Sequence, residues 1–256
     1  MGDARSTTIR QLEGQKALIT GASRGIGRHL ALTLGAAGAF VALGARDLEV
    51  LESARREVED LGVTAIAGSL DVAWSESIDA YVAHAVDRLG GLDMGINNAG
   101  VLTPGSLLED GDAPWVQALD TNVLGTVRMT RAAGRHPSEP REGHQHRVEL
   151  RVQGSLPARC VLRVQGRDRF LHPFDGGRVG QPRRPGECHR PPLHRHDLNE
   201  QIRQDDVLSE RVRRSVPARR FGTVDDVARL LLPLCDPRSI FITGSVFTVD
   251  GGETAR

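Results

Sequence analysis

Two kinds of hydrophobic patterning alternate along the chain from Lys16 to about Gly100. Short runs rich in Ile, Leu, Val and Ala have strand length, at Lys16 to Thr20, Ala39 to Gly44, Thr64 to Ser69 and Leu92 to Asn97. Between them lie longer amphipathic stretches, Gly25 to Ala37, Asp47 to Leu61 with Asp47 as its cap, and Ser75 to Leu89. Strands and helices alternating at this spacing predict right-handed crossovers in a parallel sheet. A further helix is predicted from Asp112 to Ala133, with Leu119, Val123 and Val127 on one face.

After Ala133 the pattern stops. Residues 134 to 196 hold eight of the 13 prolines and seven of the nine histidines, with no Ile and one Ala, Ala158. Neither period persists there over a long window, so the segment is not expected to build core. Order returns near Asp197, with helices predicted from Leu198 to Arg214 and from Thr223, as cap, to Leu234. A last strand, Phe247 to Asp250, closes on Gly251-Gly252.

Composition sharpens that break. The 256 residues, 39% hydrophobic, suit one α/β domain spanning 1 to 256. The net charge of zero argues against a strongly polyanion-seeking protein, yet it is an average of two unlike parts. Residues 134 to 196 carry 13 arginines, no lysine and six acidic residues, a net +7, which leaves 20 basic and 27 acidic residues, a net −7, elsewhere.

Cys160, Cys188 and Cys235 are too few and too irregularly spaced for a disulfide framework, and no C-x-x-C pair occurs. A cytoplasmic setting is expected. The N-terminal residues have no apolar core of the signal-peptide kind, and the longest apolar-rich run, Leu30 to Ala45, is shorter than a membrane span of about 20 residues. No membrane attachment is expected; Met1-Gly2 with Ser6 fits the loose myristoylation pattern but reads as a frayed tail.

Thr20-Gly21-Ala22-Ser23-Arg24-Gly25-Ile26-Gly27 follows a predicted strand and opens a predicted helix, the context in which a glycine-rich loop binds nucleotides. Glycines there let the backbone approach a pyrophosphate, which the helix N-terminus holds with free N–H groups and its positive dipole end. The loop resembles the TGxxxGxG fingerprint of the short-chain dehydrogenase/reductase family, and the resemblance continues down the chain. Asp71 in LDV looks like the family's adenine-contacting aspartate, Asn97-Asn98-Ala99-Gly100 like its NNAG motif, and Asn122 in TNVLGT like its catalytic asparagine. The C-terminal run from ARRFGTVDDVARLLLPLC to FITGSVFTVDGG is similar to the family's closing helix, turn and strand.

The resemblance implies an α/β fold, a Rossmann-type doubly wound parallel sheet in three layers, and an NAD(P)-dependent oxidoreductase interconverting a secondary alcohol and a ketone. The implied cofactor contacts are Gly21, Ser23, Arg24, Gly25, Ile26, Gly27, Arg46, Asp71, Asn98, Ala99 and Gly100, with Asn122 as the catalytic residue. At the end of the second strand, Ala45 fills the place of a ribose-binding acid and Arg46 follows it. With Arg24 in the loop, this favours the 2′-phosphate of NADP over NAD. A small-molecule alcohol or carbonyl substrate and a homotetramer or homodimer are expected, with no nucleic-acid partner.

The family's Tyr-x-x-x-Lys pair, in which the lysine lowers the tyrosine pKa and the phenol exchanges a proton with substrate, is missing. The chain has one Tyr, Tyr81 in the third helix, and one Lys, Lys16 in the first strand. Of the four catalytic positions that the resemblance implies, a serine orienting the substrate oxygen, the tyrosine, the lysine and Asn122, Asn122 alone is present, so the polypeptide as written is expected to be inactive, or a catalytically dead dinucleotide-binding pseudoenzyme. Back-translation of residues 134 to 196 shifted by one nucleotide accounts for the loss. His144 to Leu150 can then read I-N-I-V-S-S-S, Ala158 to Gly166 can read P-G-A-Y-S-A-S-K-G, and Gly186 to Leu193 can read V-N-A-I-A-P-P-Y. These fall in family order, and the serine overlapping Val148 lies 13 positions before the restored tyrosine. The histidines and Cys188 of the segment match no zinc-module spacing, and its arginines lack the interleaved aromatics of a nucleic-acid surface.

Overall fold

A computed structural model of the chain describes residues 10–101, 111–138, 148–154, 160–165, 210, 213–214, 216–239 and 241–255, with 148–154 and 160–165 described as backbone. β1 (Lys16–Thr20), α1 (Gly25–Ala36), β2 (Phe40–Ala45), α2 (Leu48–Glu59), β3 (Ala65–Ser69), α3 (Ser75–Leu89) and β4 (Met94–Asn97) alternate as the patterning predicts. They are followed by α4 (Asp112–Leu119), a π-helical turn (Asp120–Leu124), α5 (Gly125–Gly134), β5 (Val148–Gly154), β6 (Cys160–Gln165), α6 (Val224–Cys235) and β7 (Val246–Val249).

The sheet order is β3-β2-β1-β4-β5-β6-β7, a doubly wound Rossmann-type arrangement whose strand order reverses between β1 and β4. Alternate residues of the central strands serve opposite faces. Ala17, Ile19, Val41 and Leu43 join α1, α2 and α6 in one core cluster, while Leu18 and Ala42 join α3 and α5 in the other. The predicted caps form: the Asp47 carboxylate accepts from Val50 N–H at 3.2 Å, and Thr223 makes a reciprocal capping box with Asp226.

Three features depart from the patterning. Residues 148–154 and 160–165 are strands, where no long-window period signals any. The reason is local: Val148, Leu150 and Val152 alternate with Glu149, Arg151 and Gln153 over a window too short for the longer pattern to register. β5 pairs parallel with β4, but β6 runs antiparallel to both β5 and β7, so one strand of the expected parallel sheet is reversed. Only residues 155–159 separate β5 from β6, too few for a parallel crossover, which takes a dozen or more residues.

The predicted helix Asp112 to Ala133 is divided by the π turn. The wider turn shifts the phase of the residues that follow it, and the buried face of α5 is Gly125, Met129, Ala132 and Ala133. Leu119 is exposed, and Val123 and Val127 are half-buried. The helix predicted from Leu198 to Arg214 lies outside the described residues apart from Glu210, Arg213 and Arg214, which are helical. Among the described residues, no helix is long and apolar enough to cross a membrane.

Candidate functional site

The carboxyl ends of β1 and β4 lie side by side, and the glycine loop and the asparagine motif grow from them. Thr20, fully buried at the end of β1, accepts on its Oγ1 from the N–H groups of Asn98, at 3.0 Å, and Ala99, at 2.9 Å. In return Asn98 Nδ2 donates to the carbonyls of Thr20 and Gly21, both at 3.0 Å. The two segments are thereby fixed to each other before any ligand is considered.

Gly21 has φ +65°, and a Cβ there would lie 2.9 Å from Ala99 Cα; a Cβ on Gly27 would collide with Gly21 O and Asn98 Nδ2. Both positions require glycine, one for its backbone conformation and both for the approach of the neighbouring chain. Arg24 precedes α1 in extended conformation; its side chain makes no cap hydrogen bond, and the first turn carries no acidic residue. The first N–H groups of α1, beginning at Gly25, therefore have the character of an anion seat. Ser23 is half-buried beside them, whereas the Ile26 side chain belongs to the core, so Ile26 can offer a ligand only its backbone.

Ala22 N–H donates to Gly44 O at 3.2 Å, which ties the loop to β2. Ala45 is buried at the end of β2 and Arg46 is exposed just beyond it. The next residue, Asp47, is engaged as the cap of α2. After β3, the Asp71 carboxylate accepts from Ala73 N–H at 3.0 Å, and Asp71 N–H donates to Ser77 Oγ at 2.9 Å.

Asn122 sits within the π turn. Its Oδ1 accepts from Val101 N–H at 2.8 Å and its Nδ2 donates to Val101 O at 2.9 Å, so the side chain grips the segment that continues from Asn98, Ala99 and Gly100. A Cβ on Gly100 would lie 3.2 Å from Asn122 Oδ1, so that residue also lies against the turn. The glycine loop, the asparagine motif and Asn122 are thus linked through Thr20 and Val101, whereas Arg46 and Asp71 follow β2 and β3 apart from that linkage. Thr20 was not among the predicted contacts; its signal is a hydroxyl residue closing a strand immediately before the first glycine.

The lone Tyr and Lys lie elsewhere. Tyr81 is buried in α3 against Gly44 and Gly68, and burial pushes its phenol well above the usual tyrosine range. Lys16 opens β1 at the amino end, where Nζ donates to Gly90 O at 2.9 Å. Among the described residues no group of three His, Cys, Asp or Glu is placed to hold a metal. A cavity of about 290 Å³ opens between Arg220, Asp226 and Arg229 and the end of β7, and shares no lining residue with the glycine loop.

The family profile described as short chain dehydrogenase matches residues 15–144, and one described as Enoyl-(Acyl carrier protein) reductase matches residues 191–254. The chain is 30% identical over 251 residues to the (2S)-[(R)-hydroxy(phenyl)methyl]succinyl-CoA dehydrogenase subunit BbsD of Thauera aromatica, covering 95% of this chain and 98% of that one. It is 29% identical over 246 residues to gluconate 5-dehydrogenase of Gluconobacter oxydans (strain 621H), covering 95% of this chain and 96% of that one. The fold is that of a short-chain type dehydrogenase/reductase from Mycobacterium marinum, with a TM-score of 0.75 at 24% identity over 97% of this chain and 98% of that one.

Proposed function

The chain belongs to the short-chain dehydrogenase family of oxidoreductases, and from that premise we propose an NADP-binding framework for alcohol–ketone interconversion whose sequence as written has lost its acid–base pair. The observation that carries the reading is the reciprocal clamp of Thr20 and Asn98, which holds the glycine loop, the start of α1 and the asparagine motif as one surface. Such a surface fits a dinucleotide: Gly21 to Gly27 receive the pyrophosphate, Asp71 faces the adenine side, and Asn98 to Gly100 lead toward the nicotinamide side. The nicotinamide, when bound, supplies the hydride. Asp47 is engaged in capping and Arg46 is exposed, which supports a guanidinium rather than a carboxylate at the ribose 2′ position.

In this reading residues 134–196 are translated one nucleotide out of frame, and the whole chain is otherwise one dinucleotide-binding domain. The +7 composition supports it, as do the matched ranges, which leave residues 145–190 between them, and the reversed β6 where the family resemblance implies the catalytic helix. We place the protein in the cytoplasm. Association of copies into a dimer or tetramer is supported by the exposed side chains of Trp115, Val116, Leu119 and Leu124 on α4 and the π turn.

The second reading, a dinucleotide-binding pseudoenzyme, is favoured by the positions of Tyr81 and Lys16, which no local movement brings together. NADPH titration with thermal melting, beside a carbonyl-reduction assay of this chain and of its frame-restored gene, tests both. Binding without turnover, and turnover on restoration, is the expected result. Turnover by the chain as written overturns the loss of chemistry, and absence of NADPH binding overturns the dinucleotide site itself. Resequencing across the codons for residues 133 to 197 tests the frame directly.

A further inference from the structure

We infer that Arg128 is a positioning residue that sets the adenine-side carboxylate of Asp71, braced on Asp120 at the start of the turn that carries Asn122. The inference rests on the dinucleotide reading above. Arg128 is the fourth residue of α5. Its Nη1 donates to Ala73 O at 2.9 Å and its Nη2 to Asp120 Oδ1 at 3.4 Å. Ala73 in turn donates its N–H to the Asp71 carboxylate at 3.0 Å. The residue that orients Asp71 is therefore held at both of its backbone groups, on one side by Asp71 and on the other by the guanidinium.

The loop has little other freedom. Asp71 N–H donates to Ser77 Oγ, and Trp74 N–H donates to Asp71 O at 3.2 Å. On the far side a Cβ on Gly125 would lie 2.8 Å from Val72 Cγ2 and 3.0 Å from Val72 O, so α5 is pressed directly against the loop. Asp120 opens the π turn that holds Asn122. One side chain, 55 positions from Ala73, thus spans the loop after β3 and the turn before α5. The planar fork of arginine can serve two acceptors on separate elements at once; a lysine ammonium on its single stem reaches one of them well.

The test is titration of the full chain and its variants with NADPH, with adenosine 2′,5′-bisphosphate as the adenine half alone, and with reduced nicotinamide mononucleotide as the other half. Arg128→Met is expected to weaken NADPH and the bisphosphate by about tenfold each and to leave the mononucleotide unchanged. Arg128→Lys, which keeps the bond to Ala73 O, is expected to lie between. Because Arg128 acts through Asp71, D71N/R128M is expected to bind no more weakly than D71N alone, a non-additivity that general loosening of the fold does not produce. Bisphosphate affinity of Arg128→Met equal to that of the unaltered chain, or losses that multiply in the double variant, overturn the proposal. If Arg128→Met fails to fold, a folded Arg128→Lys with undiminished affinity overturns it. An unaltered chain that binds none of the three ligands instead overturns the dinucleotide reading, and this proposal with it.

Discussion

Thr20 and Asn98, 78 positions apart, exchange hydrogen bonds in both directions: Thr20 Oγ1 accepts from Asn98 N–H and Asn98 Nδ2 donates to Thr20 O, each at 3.0 Å. The hydroxyl also accepts from Ala99 N–H, so one buried oxygen satisfies two backbone donors. Thr20→Val keeps the shape and removes the acceptor. At about 1–3 kcal/mol for each of the two donors left unpaired, a loss of about 2–6 kcal/mol is expected. Urea unfolding measures it as a lower midpoint at unchanged slope, and Thr20→Ser is expected to keep most of the stability.

Gly27→Ala places a methyl group against Gly21 O and Asn98 Nδ2, neither of which can yield without opening the clamp. Overpacking of this kind costs about 1–3 kcal/mol. The larger effect falls on binding, because the loop and the asparagine motif must separate. The variant is expected to lose the NADPH-induced rise in melting temperature, and a full rise at the same NADPH concentration contradicts the assignment.

Tyr81 buries a hydroxyl that has no hydrogen-bond partner among the described residues, while its ring packs on the register-matched pair Gly44 and Gly68. Tyr81→Phe removes the unpaired group and keeps the ring, and is expected to stabilise the protein by about 1 kcal/mol. Tyr81→Ala is expected to cost about 3–5 kcal/mol. Because the phenol is shifted up in the folded state, its contribution is complete below the unfolded value near 10 and is lost as the pH rises beyond it. Tyr81 is the one tyrosine of the chain, so an ultraviolet titration should show tyrosinate appearing together with unfolding rather than before it.

Asp226 is held below the usual carboxylate range, first by Arg220, which donates to its two oxygens at 2.6 and 2.9 Å, and then by Thr223. A lowered folded value stabilises the protein above the unfolded value near 4, and that stability declines as the pH falls from there toward the folded value. Acid unfolding followed by circular dichroism is therefore expected to shift to higher pH in Arg220→Ala. Thr223→Ala, which removes the cap itself, is expected to cost about 1 kcal/mol at neutral pH. An acid transition unmoved by Arg220→Ala argues against the ion pair as its source.

What could be read from the sequence followed the range over which each signal acts. β1 and α3 have the predicted bounds because their periods are uninterrupted, and Asp47 and Thr223 cap where a short polar side chain precedes an apolar run. The glycine loop was legible because turn, strand and helix are contiguous there. The π turn was not, since the stripe through Leu119, Val123 and Val127 assumes an unbroken helix. Nor were the roles of Thr20 and Arg128, whose partners are remote in sequence and leave no period. The direction of β6 depended on how few residues separate it from β5, a fact visible only once both strands are located.

The packing of α6 on α1 has a consequence during synthesis. Val227, Leu231 and Leu234 share a core cluster with Leu30 and Leu34, and His29 meets Asp225 at 2.8 Å across the same seam. α1 emerges from the ribosome early, with the strands and α2 that cover part of it, but α6 comes close to the end, so the part of α1 that packs on α6 stays open to water through most of translation. A chain that terminates before Val224 keeps that stripe uncovered permanently, which makes it a substrate for chaperones and proteases whatever its nucleotide loop has achieved.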